Sequence, residues 1–93
     1  MKKRLHLIVH GRVQDVSYRY YTARNARGLQ LTGFVRNLAD GTVEVVVEGE
    51  EENLKKLLEY SKEGPMFAKV TRVDHEWEEP KDEFTEFNVE YFF

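Results

Sequence analysis

Cysteine is absent from the 93 residues, and proline occurs only at Pro65 and Pro80. The first absence excludes a disulfide framework, a thiolate metal site and a cysteine nucleophile, and it is compatible with the cytoplasm. No apolar run approaches the ~18 residues that a membrane span needs. Leu5 to Val9 follows the basic start Met1-Lys2-Lys3-Arg4. It is too short for the apolar region of a leader, and no small-residue cleavage site follows it. An excess of positive charge is missing too: the net charge is −3 and the isoelectric point about 5.6. General nucleic-acid binders are usually basic. These absences predict one soluble cytoplasmic domain over residues 1–93, a monomer, with neither nucleic acid nor a membrane as partner.

The charge that is present is unevenly spread. Residues 1–36 carry eight Arg or Lys against a single acid, Asp15, while acids crowd into 44–63 and 74–90. An acidic protein with a basic front end suggests a small anionic ligand at that end.

Leu5 to His10 alternates as a strand and is ended by Gly11. Residues 11–17 form a loop, with Ser17 placed to cap the helix predicted over 18–28. Tyr18, Thr22, Ala26 and Leu29 fall near one face of that helix, and Gly28 lies near its end. Strands are predicted over 31–38 and 42–48, joined by an Ala39-Asp40-Gly41 turn. Val43, Val45 and Val47 share one strand face. A second helix is predicted over 50–63, its Leu54, Leu57 and Leu58 at i, i+3, i+4, stopped by Gly64-Pro65. Strands follow over 68–78 and 84–92, separated by a polar turn at 79–83.

The order β-α-β-β-α-β, with the last strand split or single, predicts an α+β ferredoxin-like split βαβ sandwich: an antiparallel sheet with two helices on one face. A crossover helix makes the first two strands parallel, so their C-terminal ends reach one edge of the sheet. Arg19, after the first strand, and Asn37, ending the second, can then face one pocket.

Gly11-Arg12-Val13-Gln14-Asp15-Val16-Ser17-Tyr18-Arg19 carries the chemistry. A loop that leaves a strand and opens a helix turns backbone N–H groups outward, and the helix dipole adds positive charge there. An arginine in the first helical turn supplies a forked cation that matches phosphate oxygens. This is an anion cradle.

The same segment resembles the acylphosphatase signature G-x-V-Q-G-V-x-[FY]-R, matched by Gly11, Val13, Gln14, Val16, Tyr18 and Arg19. The family pattern A-x-x-L-G-L-x-G-x-V-x-N is matched by Ala26, Leu29, Leu31, Gly33, Val35 and Asn37. Asp40-Gly41-x-Val43-Glu44 and Glu48-Gly49 match its hairpin, so the resemblance covers nearly the whole chain. It implies that Arg19 binds phosphate, that Asn37 positions the attacking water, and that the backbone of Gln14, Asp15, Val16, Ser17, Tyr18 and Arg19 is the phosphate-binding loop. It implies no metal and no cofactor. The implied activity is hydrolysis of acyl phosphates, with acyl phosphate or inorganic phosphate as the small-molecule partner. The chemistry fits. The leaving carboxylate has a conjugate acid of pKa about 4–5, so its oxygen needs no proton donor. Positioning and electrostatics are what remain to be supplied. A phosphate ester, leaving as an alkoxide, would need more.

Two positions depart from the family pattern. Asp15 stands where a glycine allows unusual φ and close approach of an anion, and its carboxylate would repel phosphate or pair with Arg19. A catalytically weakened module that binds phosphate or carbamoyl phosphate, like the acylphosphatase-like domain of hydrogenase maturation factors, is therefore the alternative reading. Gln30 replaces a second glycine at the helix exit, where Gly28 is expected to take over. His6 and His10 lie some 13 Å apart along a strand at ~3.3 Å per residue, too far for one metal ion. Tyr18 reads as core, Tyr20 and Tyr21 as partly exposed, and Trp77 with the aromatic cluster at 84–93 as core cover. The cradle addresses phosphate, so the motifs do not name the acyl group.

Overall fold

The computed structural model describes residues 1–91; the predicted end of the last strand at Phe92, and Phe93 of the aromatic cluster, lie outside them. The elements are β1 (Lys2–Arg12), α1 (Tyr18–Gly28), β2 (Thr32–Asn37), β3 (Val43–Glu50), α2 (Glu51–Glu63), β4 (Lys69–Glu78) and β5 (Phe87–Glu90). They form one five-stranded sheet in the order β4-β1-β3-β2-β5. The α+β ferredoxin-like plan holds. β1 pairs antiparallel with β3 and β4, and β3 pairs antiparallel with β2. β1 and β2 are therefore parallel, one strand apart, as the crossover through α1 requires.

The expectation of a purely antiparallel sheet is corrected at its edge. β5 pairs with β2 in parallel, Gly33 opposite Phe87 and Val35 opposite Val89. β4 and β5 are thus not halves of one split strand but the two opposite edges of the sheet. To pass between them the chain crosses the helix-free face through residues 79–86, the segment read from sequence as a simple polar turn.

The core lies between the sheet and the helices. Alternation sends Leu5, Leu7 and Val9 of β1 and Val43, Val45 and Val47 of β3 inward, where all are fully buried. Against them pack Leu54, Leu57 and Leu58 of α2 and Tyr18, Ala23 and Ala26 of α1. Each such aliphatic side chain contributes roughly 1.5–3 kcal/mol. Trp77 is a correction: it sits on the edge strand and is 37% exposed.

On the opposite face Glu48 is buried and receives three donors: Arg4 Nη1 at 2.9 Å, the Lys81 N–H at 2.8 Å and the Asp82 N–H at 3.0 Å. Arg4 reaches Glu78 and Glu83 as well, and its guanidinium lies 5.3 Å from the Phe84 ring centroid. The crossing segment is thus held to the sheet through a carboxylate. Burial alone would raise the Glu48 carboxyl; the Lys81 N–H, Arg4 and the Asp82 N–H outweigh it and hold it below the usual carboxylate range.

The exit of α1 also differs from expectation. The left-handed residue is Gln30, at φ 58°, and not Gly28, which lies inside the helix. Leu31 N–H returns to the Ala26 carbonyl at 2.9 Å and Gln30 N–H to Arg27 at 3.0 Å. That double bond pattern requires positive φ one residue past the cap, and here it falls on Gln30.

Two measurements follow. Glu48→Gln should lower unfolding free energy at pH 7 by about 3 kcal/mol, since it uncouples Arg4 and neutralises a buried acceptor. A carboxyl held low stabilises above its unfolded pKa and ceases to do so as pH falls through the folded one. The gap between wild type and variant in urea titrations should therefore close toward pH 3. Gln30→Gly should raise stability by about 0.5–1 kcal/mol, because relief of left-handed strain (~1–2) exceeds the entropy glycine adds to the unfolded chain (~0.5–1). An unchanged urea midpoint would count against it.

Candidate active site

The site begins where β1 leaves the sheet. Pairing with β4 shifts register between His10 and Gly11. Gly11 has φ 123°, and a Cβ there would collide with the Lys69 carbonyl. Only glycine fits this bulge, which turns the chain out toward the helix layer. Two left-handed residues follow, Asp15 at φ 60° and Ser17 at φ 64°, with Val16 between them. Such alternation turns successive backbone N–H groups to one side of a loop.

Ser17 was expected to cap α1 through its hydroxyl, and it does not. A capping serine is extended; this one is left-handed and its side chain makes no cap bond. Only its carbonyl joins the helix, accepting from the Tyr21 N–H at 3.1 Å. Among the described residues, the N–H groups of Tyr18, Arg19 and Tyr20 consequently find no partner. An uncapped helix start with its dipole is a site prepared for an anion.

Arg19 is held from β5. Its Nη1 donates to the Glu90 carbonyl at 2.9 Å, and its guanidinium lies 4.8 Å from the Tyr91 ring centroid. These contacts orient the fork while leaving most of its donors unused. Asn37, the last residue of β2, lines the same cavity, which also includes Asp15, Ser17, Tyr18 and Tyr91 and measures about 150 Å³. That is below the ~300 Å³ at which sites for drug-sized ligands begin, and it suits a small anion. Asn37 Oδ1 is buried without a protein partner. A buried amide oxygen left so costs about 1–3 kcal/mol, a penalty packing does not explain.

The structure thus brings Asp15, Ser17, Tyr18, Arg19 and Asn37 to one cavity and leaves two loop side chains out of it. Gln14 Nε2 donates to the Leu38 and Thr42 carbonyls at 2.8 and 2.9 Å, fastening the loop to the hairpin after Asn37. Val16 lines a neighbouring groove. Tyr18 is buried with its hydroxyl donating to the Ser61 carbonyl at 2.8 Å, and burial pushes that hydroxyl's pKa up. It anchors the helix start and moves no protons. Asp15 is exposed and, among the described residues, forms no ion pair, so the feared pairing with Arg19 does not occur.

Sequence reasoning missed the β5 contribution. The predicted strand over 84–92 carries no local signal that it lies beside β2, where the Glu90 carbonyl and the Tyr91 ring meet Arg19. The histidines are engaged separately, His6 with Glu44 at 2.8 Å and His10 with Asp74 at 2.9 Å.

Comparison with known proteins gives the family and the fold. The acylphosphatase family model matches residues 5–89. A protein of Thermococcus kodakarensis named acylphosphatase is 50% identical over 78 residues, which cover 84% of this chain and 86% of the relative. The crystal structure of acylphosphatase from Bacillus subtilis superposes with a TM-score of 0.92 at 35% identity, covering 98% of this chain and all of that one. HypF of T. kodakarensis superposes with a TM-score of 0.80 at 34% identity, but the match spans only 12% of that chain. Because the family model spans residues 5–89 and proteins named acylphosphatase match 84% and 98% of the chain's length, the chain belongs to the acylphosphatase family, hydrolases of acyl phosphates.

Proposed function

We propose that the cavity at the start of α1 holds the phosphoryl group of an acyl phosphate, with Arg19 and the N–H groups of the 14–19 loop as its ligands and Asn37 orienting the water. The observation that carries this is the uncapped α1 N-terminus sharing one cavity with Arg19 and Asn37. The water oxygen forms a bond to phosphorus, the bond from phosphorus to the acyl oxygen breaks, and the carboxylate departs with that electron pair. The water's proton passes to a phosphoryl oxygen, so carboxylate and phosphate are the products. Charge accumulating on the phosphoryl oxygens meets fixed donors that need not reorganise. The alternative of a binding module without turnover gains no support over this reading from the relatives.

The chain is further proposed to act as one cytoplasmic, monomeric domain on a small-molecule acyl phosphate, with no nucleic acid or membrane partner. The net charge of −3 speaks against nucleic acid, and no helix among the described residues is long and apolar enough to cross a membrane.

Benzoyl phosphate should be hydrolysed in the presence of EDTA, and Arg19→Ala and Asn37→Ala should each lower kcat/KM about a hundredfold or more. Activity retained in both variants would remove the assigned roles, and an inactive wild type would remove the reading itself. Asp15→Gly should bind inorganic phosphate roughly threefold to tenfold more tightly by calorimetry, since it deletes a negative charge at the cavity rim and relieves a left-handed residue. Unchanged or weaker binding would refute that assignment.

A further inference from the structure

A second concavity adjoins the cradle. It is a groove of about 600 Å³ between α1, α2 and the connection that leads into β4, walled by Val16, Tyr21, Tyr60, Met66 and Phe67, with Arg24 beside them. Ser17 lines both the groove and the anion cavity. Met66 is 88% and Phe67 75% exposed, large apolar side chains that the core leaves uncovered. Arg24 is exposed and forms no ion pair among the described residues.

The sheet order gives this groove a direction. Along the edge where the site lies, the 65–68 connection into β4 comes first, then the end of β1 with the cradle loop, and beyond β3 the end of β2 with Asn37. The cradle thus stands between Asn37 and the groove. In phosphoryl transfer the attacking and leaving oxygens lie roughly in line across phosphorus. A water held at Asn37 therefore aims the leaving acyl oxygen away from β2, toward the β4 side, where the groove opens.

We propose that this groove is the acyl subsite: it receives the apolar part of the leaving group, an aryl or branched aliphatic carboxylate, against Met66, Phe67 and Tyr21. Arg24 adds positive charge where the carboxylate is released. The inference rests on the phosphate cradle assigned above, and it makes Met66 and Phe67 residues of specificity and not of bond breaking.

The test compares benzoyl phosphate with acetyl phosphate, which has almost no acyl group to bury, in wild type and in Met66→Ala/Phe67→Ala. Both side chains are exposed, so the variant retains its core, and the inhibition constant of inorganic phosphate reports whether the cradle is intact. The expected result is a loss of about tenfold in kcat/KM for benzoyl phosphate. Acetyl phosphate turnover and phosphate inhibition should stay within about twofold. An equal change for both substrates, or none for either, would overturn the subsite while leaving the hydrolase reading in place. A wild type that turns over neither substrate would overturn both.

Discussion

The Glu48 carboxylate, buried on the helix-free face of the sheet, holds the path by which the chain travels from one edge strand to the other. Its partners are Arg4 on β1 and two backbone N–H groups of the crossing segment. An ion taken out of water is costly unless every lone pair is used, so the segment is drawn to one place and one register. What hangs on this is β5. Only because the crossing segment delivers it beside β2 do the Glu90 carbonyl and the Tyr91 ring stand where Arg19 needs them. Arg27, two turns further along α1, grips the Phe87 carbonyl in the same way. Electrostatics on one face of the sheet thereby sets the aim of an arginine on the other.

The second arm of the site is built by adjacency. β3 lies between β1 and β2, so the cradle loop and Asn37 emerge at one edge with a strand's width between them. Gln14 bridges that width through the Leu38 and Thr42 carbonyls. The hairpin it grips is shaped by Asp40, whose carboxylate accepts from the Thr42 N–H and hydroxyl. A loop residue that reads as a phosphate ligand in a motif is here, through its side chain, a spacer between two parts of the site.

Much of this was legible in the sequence, and the exceptions share a cause. Val43, Val45 and Val47, and Leu54, Leu57 and Leu58, declare their faces by period alone, and the core is where they say. Arg19 and Asn37 could be brought together because crossover handedness and parallel strands leave little choice. Ser17, Gln30 and β5 were misread because what governs them is not local. Ser17 has a capping residue's chemistry, but the loop from Gly11 forces it left-handed. Gln30 takes the strained position that Gly28 would suit better, since the bonds that close the helix on the Ala26 and Arg27 carbonyls put the left-handed residue two positions later. The edge taken by β5 depends on Glu48 and Arg4, which lie 44 residues apart, and nothing local to either residue marks it as the other's partner.

The uncapped start of α1 also ties folding to solution composition. Most helices complete their first turn with a side chain and carry that stability everywhere. This one leaves the N–H groups of Tyr18, Arg19 and Tyr20 without a protein partner among the described residues. Any ion that occupies the native cradle and not the unfolded chain adds RT ln(1 + [L]/Kd), about 1.4 kcal/mol at ten times Kd. With phosphate held in the cradle as proposed, melting temperature would become a function of the buffer anion, and the fold of this chain would be in part borrowed from its own product.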